Sequence, residues 1–156
     1  MPNADENKAI VKKFFSLGFG ADESRALVVE DFRWIGPASL EFVFDRETHA
    51  NRGPELLKDL PNIEAALYKR SELESASTNL HFIIAEDDIV VLEFDARRTT
   101  FEDESYRNNY CLVFFMRDGK IAKVHEHVDS HYSWNLCFNT PEKRDGVLDR
   151  LGRLRA

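Results

Sequence analysis

Cysteine, long apolar runs and clustered positive charge are scarce in this sequence, and each shortage narrows the range of possible functions. The chain of 156 residues has 2 cysteines, Cys111 and Cys137, too few and too far apart for a disulfide framework or a four-thiolate zinc site. No apolar run approaches the ~20 residues that a membrane-spanning helix requires. The formal net charge of -7 argues against nonspecific binding to nucleic acid or an anionic membrane, because both need clustered positive charge.

The sequence also lacks a recognisable targeting segment and any repeat. Its beginning, MPNADENKAIVKKFF, has neither the positive leader nor the apolar core of a secretory signal, which predicts a cytoplasmic protein. Its length and a hydrophobic content of 43% suffice for one domain with a sizeable core but not for two. With no internal repeat or low-complexity segment, we expect a single domain over residues 1–156.

Helical patterns come first along the chain, and strand patterns follow. Apolar spacing predicts a helix from about Asp5 to Leu17, and Asp22 is a candidate cap for a short second helix. A helical region begins at Gly53-Pro54, is broken at Pro61 and reaches about Leu73. Strand-like segments are Phe32–Ile35, Leu40–Phe44 and, from Asn79 onward, LHFIIAE, IVVLEFDARRTTF, YRNNYCLVFFM and KIAKVHEHVDSHY, before a final helix from Pro141 to Leu154.

This order of elements predicts the fold class. Helices gathered before an antiparallel meander are typical of α+β proteins rather than of alternating βαβ units. We therefore expect the helices to pack on the concave face of a curved antiparallel sheet, so that the molecule forms a half-open cone.

The segment from Tyr106 to Ser130 predicts a β-hairpin that places one carboxylate among apolar side chains. Asp118-Gly119 favours a two-residue turn with positive φ. If Arg117 then faces Lys120, Glu126 is the one ionisable carboxylate on its face of the hairpin. That face would hold Asn109, Cys111, Val113 and Phe115 opposite Val128, Glu126, Val124 and Ala122, with Tyr110 on the other face.

Two interpretations of Glu126 are open at this stage. Hydrogen bonds could satisfy it within the core, where it would only help to fix the packing. Alternatively, it lines a pocket and acts as a general acid or base near neutral pH. Desolvation raises the pKa of the carboxyl in both cases.

The order of elements and the run GKIAKVHEHVD resemble the SnoaL-like branch of the nuclear-transport-factor-2-like (NTF2-like) superfamily, which includes ketosteroid isomerase, polyketide cyclases and limonene epoxide hydrolase. The likeness is greatest in LEFDARR and SYRNNYCLVFFMRDGKIAKVHEHVD, which are similar to the sheet of phenazine biosynthesis A/B-like proteins. It implies the cone-shaped, cystatin-like α+β barrel of that superfamily. It also implies that Glu126 faces a pocket and serves as an acid/base toward a small cyclic substrate.

The resemblance implies further site residues and partners. Asn109 matches an asparagine of that family, and Glu93 and Asp95 match an acidic pair that would share one strand face. The implied activity is proton transfer of isomerase, cyclase or lyase type on a cyclic or polyketide-like substrate in an apolar pocket, without a cofactor or metal. Glu126, Asp95 and Asn109 would be catalytic, the substrate would contact Glu93, Trp34, Tyr106, Val113, Val124 and Phe115, and the protein would form a homodimer.

Departures from the family pattern narrow that chemistry. The stretch PELLKDLPNIEAAL lacks the histidine that phenazine-type proteins use, so their chemistry on the same substrate is not expected. Glu93 occupies the place of the arginine that epoxide hydrolases of this fold require, which disfavours epoxide hydrolysis. Arg97 shares a strand face with Asp95 and could neutralise it, in which case Glu93 and Asp95 are ordinary strand charges.

Other residues have both a structural and a functional interpretation. Aromatic side chains could line a pocket for a ring-shaped ligand, although such residues more often fill a core; they are Trp34, Phe42, Phe44, Tyr68 and Phe82. His125, His127 and His131 have a spacing that zinc could use, but a position at a subunit interface fits the neighbouring Lys123 better. The alternative to an enzyme is a noncatalytic ligand-binding or dimerisation module of the same fold.

Overall fold

The computed structural model describes residues 3–38, 50–69 and 77–156. The predicted extended piece Leu40–Phe44, with Phe42 and Phe44, lies outside these ranges, as do residues 70–73 of the predicted helical region. The described residues form an α+β fold, as predicted, and it contains five α-helices and five strands. The helices are α1 (Ala4–Leu17), α2 (Asp22–Ala26), α3 (Leu56–Leu67), α4 (Ser130–Cys137) and α5 (Pro141–Arg155), and the strands are β1 (Val28–Ile35), β2 (Ser77–Glu86), β3 (Ile89–Thr99), β4 (Ser105–Arg117) and β5 (Lys120–Val128).

The five strands form one sheet in the order β1-β5-β4-β3-β2. Strands β2 to β5 are the predicted antiparallel meander, whereas β1 lies parallel to β5 at one edge. We call the face covered by α1 and α3 the inner face and the opposite face the outer face. Alternation along β3 puts Val90, Leu92 and Phe94 on the inner face, where all three are buried.

Helix α1 begins one residue before the predicted start because Asn3 and Glu6 form a capping box. The Asn3 side chain accepts a hydrogen bond from the Glu6 backbone, and the Glu6 side chain accepts one from the Asn3 backbone. The buried face of the helix lies against the inner face of the sheet. Ring centroids are 6.1 Å apart for Phe14 and Phe114 and 5.0 Å apart for Phe15 and Phe94. Helix α2 differs from the prediction, since Asp22 is its first residue and makes no capping hydrogen bond.

Helix α3 continues through Pro61, where the sequence predicted a break. A proline within a helix removes one hydrogen bond and crowds the preceding turn. A short 3₁₀ turn, Gly53–Glu55, precedes α3, and Pro61 packs against Gly20, where an added Cβ would lie 2.5 Å from the proline Cγ. The helix ends at Leu67 rather than Leu73, because Tyr68 is extended and forms an isolated β-bridge with Thr100.

The C-terminal part of the chain closes one end of the sheet. The sequence extended the last strand to Tyr132, but β5 ends at Val128, and Asp129 caps α4 by accepting a hydrogen bond from the Tyr132 backbone. Helix α5 packs on α3 around a second buried cluster of Ala66, Tyr106, Cys137, Phe138, Val147 and Leu151. Among the described residues, no helix is long and apolar enough to span a membrane.

Candidate functional site

A β-bulge changes which side chains share a face with Glu126. The predicted turn at Asp118-Gly119 is present, with φ of 53° and 74°. Beyond it, however, Ala122 is an extra residue in β5, so the register shifts by one. The predicted pairing of Glu126 with Cys111 is therefore wrong, and Glu126 pairs with Leu112 instead.

Because the register is shifted, the residues of β4 that share a face with Glu126 are the alternate set from the one predicted. Tyr110 lies opposite Val128 and Phe114 opposite Val124, so Tyr110 shares the inner face with Glu126. The prediction that Tyr110 faces away is wrong. The predicted neighbours of Glu126 on β4 instead lie on the outer face: Asn109, Cys111, Val113 and Phe115.

Asp95 and Glu93 do not join Glu126. Asp95 pairs with Asn109 and Glu93 with Cys111, which places all four on the outer face. Both carboxylates hold His81, whose Nδ1 lies 3.1 Å from Glu93 Oε1 and whose Nε2 lies 2.8 Å from Asp95 Oδ2. The hydrogen bond with Asp95, followed by that with Glu93, raises the pKa of His81, and the bond with His81 lowers the pKa of Asp95. The site that the resemblance implies, with Asp95 and Glu93 beside Glu126, is therefore not formed.

The predicted substrate contacts divide between the two faces. Trp34 and Tyr106 line a cavity on the inner face, as does Tyr68. Val124 is buried on the same face but belongs to the packed core. Val113 and Phe115 lie on the outer face, where Lys123 Nζ is 4.0 Å from the Phe115 ring centroid, and Phe82 is exposed on that face.

The cavity lies between α3 and the inner face of the sheet and has a volume of about 170 Å³. Leu60, Ile63 and Leu67 of α3 form one wall, and Phe94 and Leu112 of the sheet form the other. Because a cavity of about 150 Å³ with apolar walls accommodates benzene, this space suits a small ring. Its lining combines apolar and aromatic side chains with a few polar groups, as the lining of ligand sites commonly does.

Glu126 is a carboxylic acid in the wall of this cavity. Trp34 Nε1 donates a hydrogen bond to Glu126 Oε2 at 2.8 Å, and no other described residue donates to this carboxyl. Burial raises the pKa of Glu126 above its usual value, and the hydrogen bond from Trp34 opposes that increase. The residue as a whole is half-buried.

A network of hydroxyl groups lies on the same wall. Tyr106 Oη is 2.7 Å from Tyr110 Oη and 3.0 Å from Ser133 Oγ, and Asn108 Nδ2 donates to Tyr106 Oη at 3.0 Å. Burial, together with the nearby Tyr106 and Glu126, raises the pKa of Tyr110. The Tyr110 phenol therefore stays protonated at neutral pH and can donate a hydrogen bond into the cavity.

A second cavity of about 320 Å³ shares the lining residues Gly36, Pro37, Glu126 and Val128 with the first. It is lined in addition by His125, His127 and Ser130, at the end of β5. His131 belongs to α4 and lies 3.0 Å from the Asn135 amide, so the three histidines do not share one strand face. In the part of the chain that the structure describes, no group of three or more metal-binding side chains could hold a metal ion.

One signal in the sequence could have revealed Tyr110 as a member of the site. Its strand face, which alternates as Tyr110, Leu112, Phe114 and Met116, is the most apolar face of the hairpin. The regular register set this face against Lys123, His125 and His127, which is a poor match for a core. A bulge in β5 resolves that conflict, because it brings Val124 and Val128 to the apolar side.

Comparison with known proteins bears on the fold. No known family model matches the chain, and a search of curated proteins gives no match either. Solved structures do match. An NTF2-like protein of unknown function from Burkholderia pseudomallei is 14% identical, with 84% of this chain and 96% of that chain covered and a TM-score of 0.66.

Two further structures have a similar degree of likeness. A protein described as a SnoaL-like polyketide cyclase, from Jannaschia sp., is 15% identical over 90% of this chain and 97% of that chain, with a TM-score of 0.67. TerC, co-crystallised with polyporic acid, is 16% identical over 84% and 97%, with a TM-score of 0.64. The chain therefore has the NTF2-like, SnoaL-like fold that its sequence resembles.

Proposed function

We propose that this protein is a small-molecule enzyme in which Glu126 transfers a proton to and from carbon of a cyclic or polyketide-like substrate, without a cofactor. The observation that carries the proposal is a carboxyl group of raised pKa, with a single tryptophan donor, facing an apolar cavity. Fold alone does not indicate a reaction. The site geometry is therefore the basis of the proposal.

The raised pKa suits Glu126 to both halves of a proton transfer. A general base is most effective when its pKa lies near the working pH, and desolvation moves the pKa of Glu126 in that direction. The carboxylate would take a proton from a carbon next to a carbonyl group, and the electrons of that C–H bond would pass to the carbonyl oxygen. In a ketone whose C=C bond is conjugated with the enolate, return of the proton to the far carbon of that bond shifts the double bond and gives an isomer.

Tyr110 replaces Asn109 as the polar assistant of Glu126 in this proposal. Tyr110 and Glu126 occupy diagonal positions on neighbouring strands, so their Cβ atoms are about 7 Å apart, which leaves space for a carbonyl group between them. The protonated phenol would donate a hydrogen bond to the negative charge that develops on the substrate oxygen. Tyr106 would hold Tyr110 in place through the hydrogen bond at 2.7 Å.

The proposed substrate class follows from the cavity walls. Phe94 stacks on Tyr110 with ring centroids 5.0 Å apart, and Trp34 packs against Phe19, so flat aromatic surfaces enclose the space. A ring system would bury apolar area against them. TerC was co-crystallised with polyporic acid, and the Jannaschia protein is described as a polyketide cyclase; both descriptions support a cyclic or polyketide-like substrate.

The proposal can be tested with cyclic ketones. Ketones such as 1-tetralone would first be screened for a rise in melting temperature, since a ligand that binds the folded state stabilises it. Binders would then be followed by NMR in D₂O for exchange of the hydrogens beside the carbonyl. We expect Glu126→Gln to reduce the exchange rate by about 10²- to 10⁴-fold while the melting-temperature shift with ligand is retained.

Glu93→Gln is the matched control, because Glu93 is a carboxylate on the outer face. It should leave the exchange rate unchanged. Ketones that bind the wild type with no exchange above the buffer rate would contradict the proposal and favour the noncatalytic ligand-binding module.

We also propose a homodimer that forms through the outer face of the sheet. Phe82, Ile84 and Ile89 are 43%, 57% and 44% exposed there, and a patch of this kind commonly marks an interface. Ile84→Lys should shift the mass measured by light scattering from dimer to monomer. Leu148→Lys, at an equally exposed position of α5, should leave the dimer intact, and a monomeric wild type would contradict the assignment.

A further inference from the structure

The cavity has a charged end that the proposed chemistry does not use. Three charged residues line the cavity as a whole: Glu64, Arg98 and Glu126. Among the described lining residues, Arg98 is the one cation. Arg98 lies on β3 opposite Tyr106, on the inner face. Burying a cation in a mostly apolar wall costs free energy unless the cation is paired or hydrogen-bonded. The groups that contact Arg98 therefore show how the wall accommodates its charge.

Arg98 and Glu126 mark opposite ends of the pocket. Glu126 pairs with Leu112, which pairs with Leu92 on β3, whereas Arg98 lies six residues further along β3. Six residues of strand span about 20 Å. Because this distance joins backbone positions and both side chains are long, a ligand that contacts both residues must be longer than a single ring, with its reacting carbon at one end.

The Arg98 guanidinium is held mainly by fixed groups. Its Nη1 donates to the backbone oxygens of Ser77 at 3.0 Å and Arg97 at 2.8 Å, and its Nη2 lies 3.4 Å from Thr78 Oγ1. These contacts position the side chain, which is 19% exposed. Its carboxylate partner is Glu64 of α3, at 2.5 Å from Nε, and the Glu64 side chain is 51% exposed.

We propose that Arg98 selects substrates bearing an anionic group, such as a carboxylate, at the end remote from the reacting carbon, and that Glu64 holds this position when no substrate is bound. This inference rests on the proposed function, since it names the substrate class of the same pocket. Glu64 can turn into solvent at low cost because it is half-exposed, whereas Arg98 is fixed. The substrate anion would then accept the hydrogen bond that Glu64 gives up.

The test compares a matched pair of ligands, 2-naphthoate and 2-naphthamide, by isothermal titration calorimetry at pH 7. The two have the same rings, and only the first carries a charge. Because a hydrogen bond to a charged group contributes about 1.5–3 kcal/mol, or about 10- to 150-fold in affinity, the wild type should bind 2-naphthoate at least about 10-fold more tightly than 2-naphthamide. Arg98→Gln should abolish this preference and leave the affinity for 2-naphthamide within about 3-fold.

Glu64→Gln provides the decisive control, because Glu64→Gln and Arg98→Gln break the same ion pair. If the pair only stabilises the fold, both variants change 2-naphthoate binding in the same direction. If Arg98 selects the anion, Glu64→Gln should tighten 2-naphthoate binding by at least about 3-fold, because a competing carboxylate and its repulsion are removed. Arg98→Gln should weaken it.

The inference is overturned if the wild type binds both probes with equal affinity or binds neither. It is also overturned if Arg98→Gln loses the same affinity for 2-naphthoate as for 2-naphthamide, or if Glu64→Gln binds 2-naphthoate more weakly. Failure of the proposed function looks different. In that case 2-naphthoate is preferred in the wild type and in Glu126→Gln alike, while ketone exchange shows no dependence on Glu126.

Discussion

The hydrogen bond from Trp34 to Glu126 allows a prediction that needs no substrate. Trp34→Phe keeps an aromatic ring beside Phe19, with which Trp34 now makes an edge contact at 5.1 Å, but removes the donor that lies 2.8 Å from Glu126 Oε2. That donor stabilises the charged carboxylate more than the neutral acid. Its removal should therefore raise the pKa of Glu126 further.

The size of the effect follows from the geometry. A hydrogen bond to a charged group contributes about 1.5–3 kcal/mol, and one pKa unit corresponds to about 1.4 kcal/mol. The pKa of Glu126 should thus rise by about 1 to 2 in Trp34→Phe. If Glu126 is the base in ketone exchange, the pH at which exchange reaches half of its maximum should rise by the same amount.

The assay is a ¹³C NMR titration of the glutamate carboxyl carbons, in which the signal of Glu126 is identified by its loss in Glu126→Gln. The control is Trp134→Phe, because Trp134 lies on α4 and packs against Phe138, 6.2 Å between ring centroids. It should leave the titration unchanged. A pKa of Glu126 that stays constant or falls in Trp34→Phe would refute the reasoning.

Two further predictions concern an ion-pair site on α3 and the hydroxyl network of the pocket. Burial would raise the pKa of Asp59, but hydrogen bonds from Arg155 and Arg52 outweigh this effect and lower the pKa from 3.8 to about 2. Because the pKa is depressed in the folded state, the ionised Asp59 stabilises the fold above pH 4, and this stabilisation is lost as the pH falls toward 2. Urea unfolding should show that the wild type exceeds Asp59→Asn in free energy of unfolding by less at pH 2 than at pH 6. After allowance for the partly exposed arginines, the difference should shrink by about 1–2 kcal/mol. A difference that stays constant would contradict the assignment. Tyr106→Phe should lower the free energy of unfolding by about 1–3 kcal/mol, because it leaves buried polar groups without their hydroxyl partner, and should slow ketone exchange; an unchanged exchange rate would remove the phenol network from the mechanism.

Much of the fold could be predicted from local patterns. Alternating apolar residues from Asn79 onward predicted the meander, and the Asp118-Gly119 pair predicted its last turn, because turn type depends mainly on the two residues that form it. Pro61 misled the prediction, since α3 continues through it, with the proline packed against the distant Gly20. The parallel position of β1 beside β5 was likewise not visible locally, because it joins distant segments.

The candidate site was predicted in part. Trp34, Tyr106 and Glu126, which the sequence offered as candidates, do line one cavity. Asn109 was grouped with Glu126 by assuming a regular hairpin, and one extra residue at Ala122 reversed that grouping. Asp95 was grouped with Glu126 by the family resemblance, and its pairing with Asn109 places it on the outer face. A bulge is stabilised by packing of the whole sheet face, so a turn-based register could not reveal it.

The parallel pairing of β1 with β5 has a consequence for how the pocket is assembled during folding. The meander of β2 to β5 consists of contacts between neighbours in sequence, which form early, whereas Trp34 and Glu126 are 92 positions apart. Bringing such distant segments together carries a large loss of chain entropy and tends to come late. The carboxyl should therefore acquire its tryptophan donor only in the last steps of folding, so that the pKa of Glu126 reports completion of the native structure.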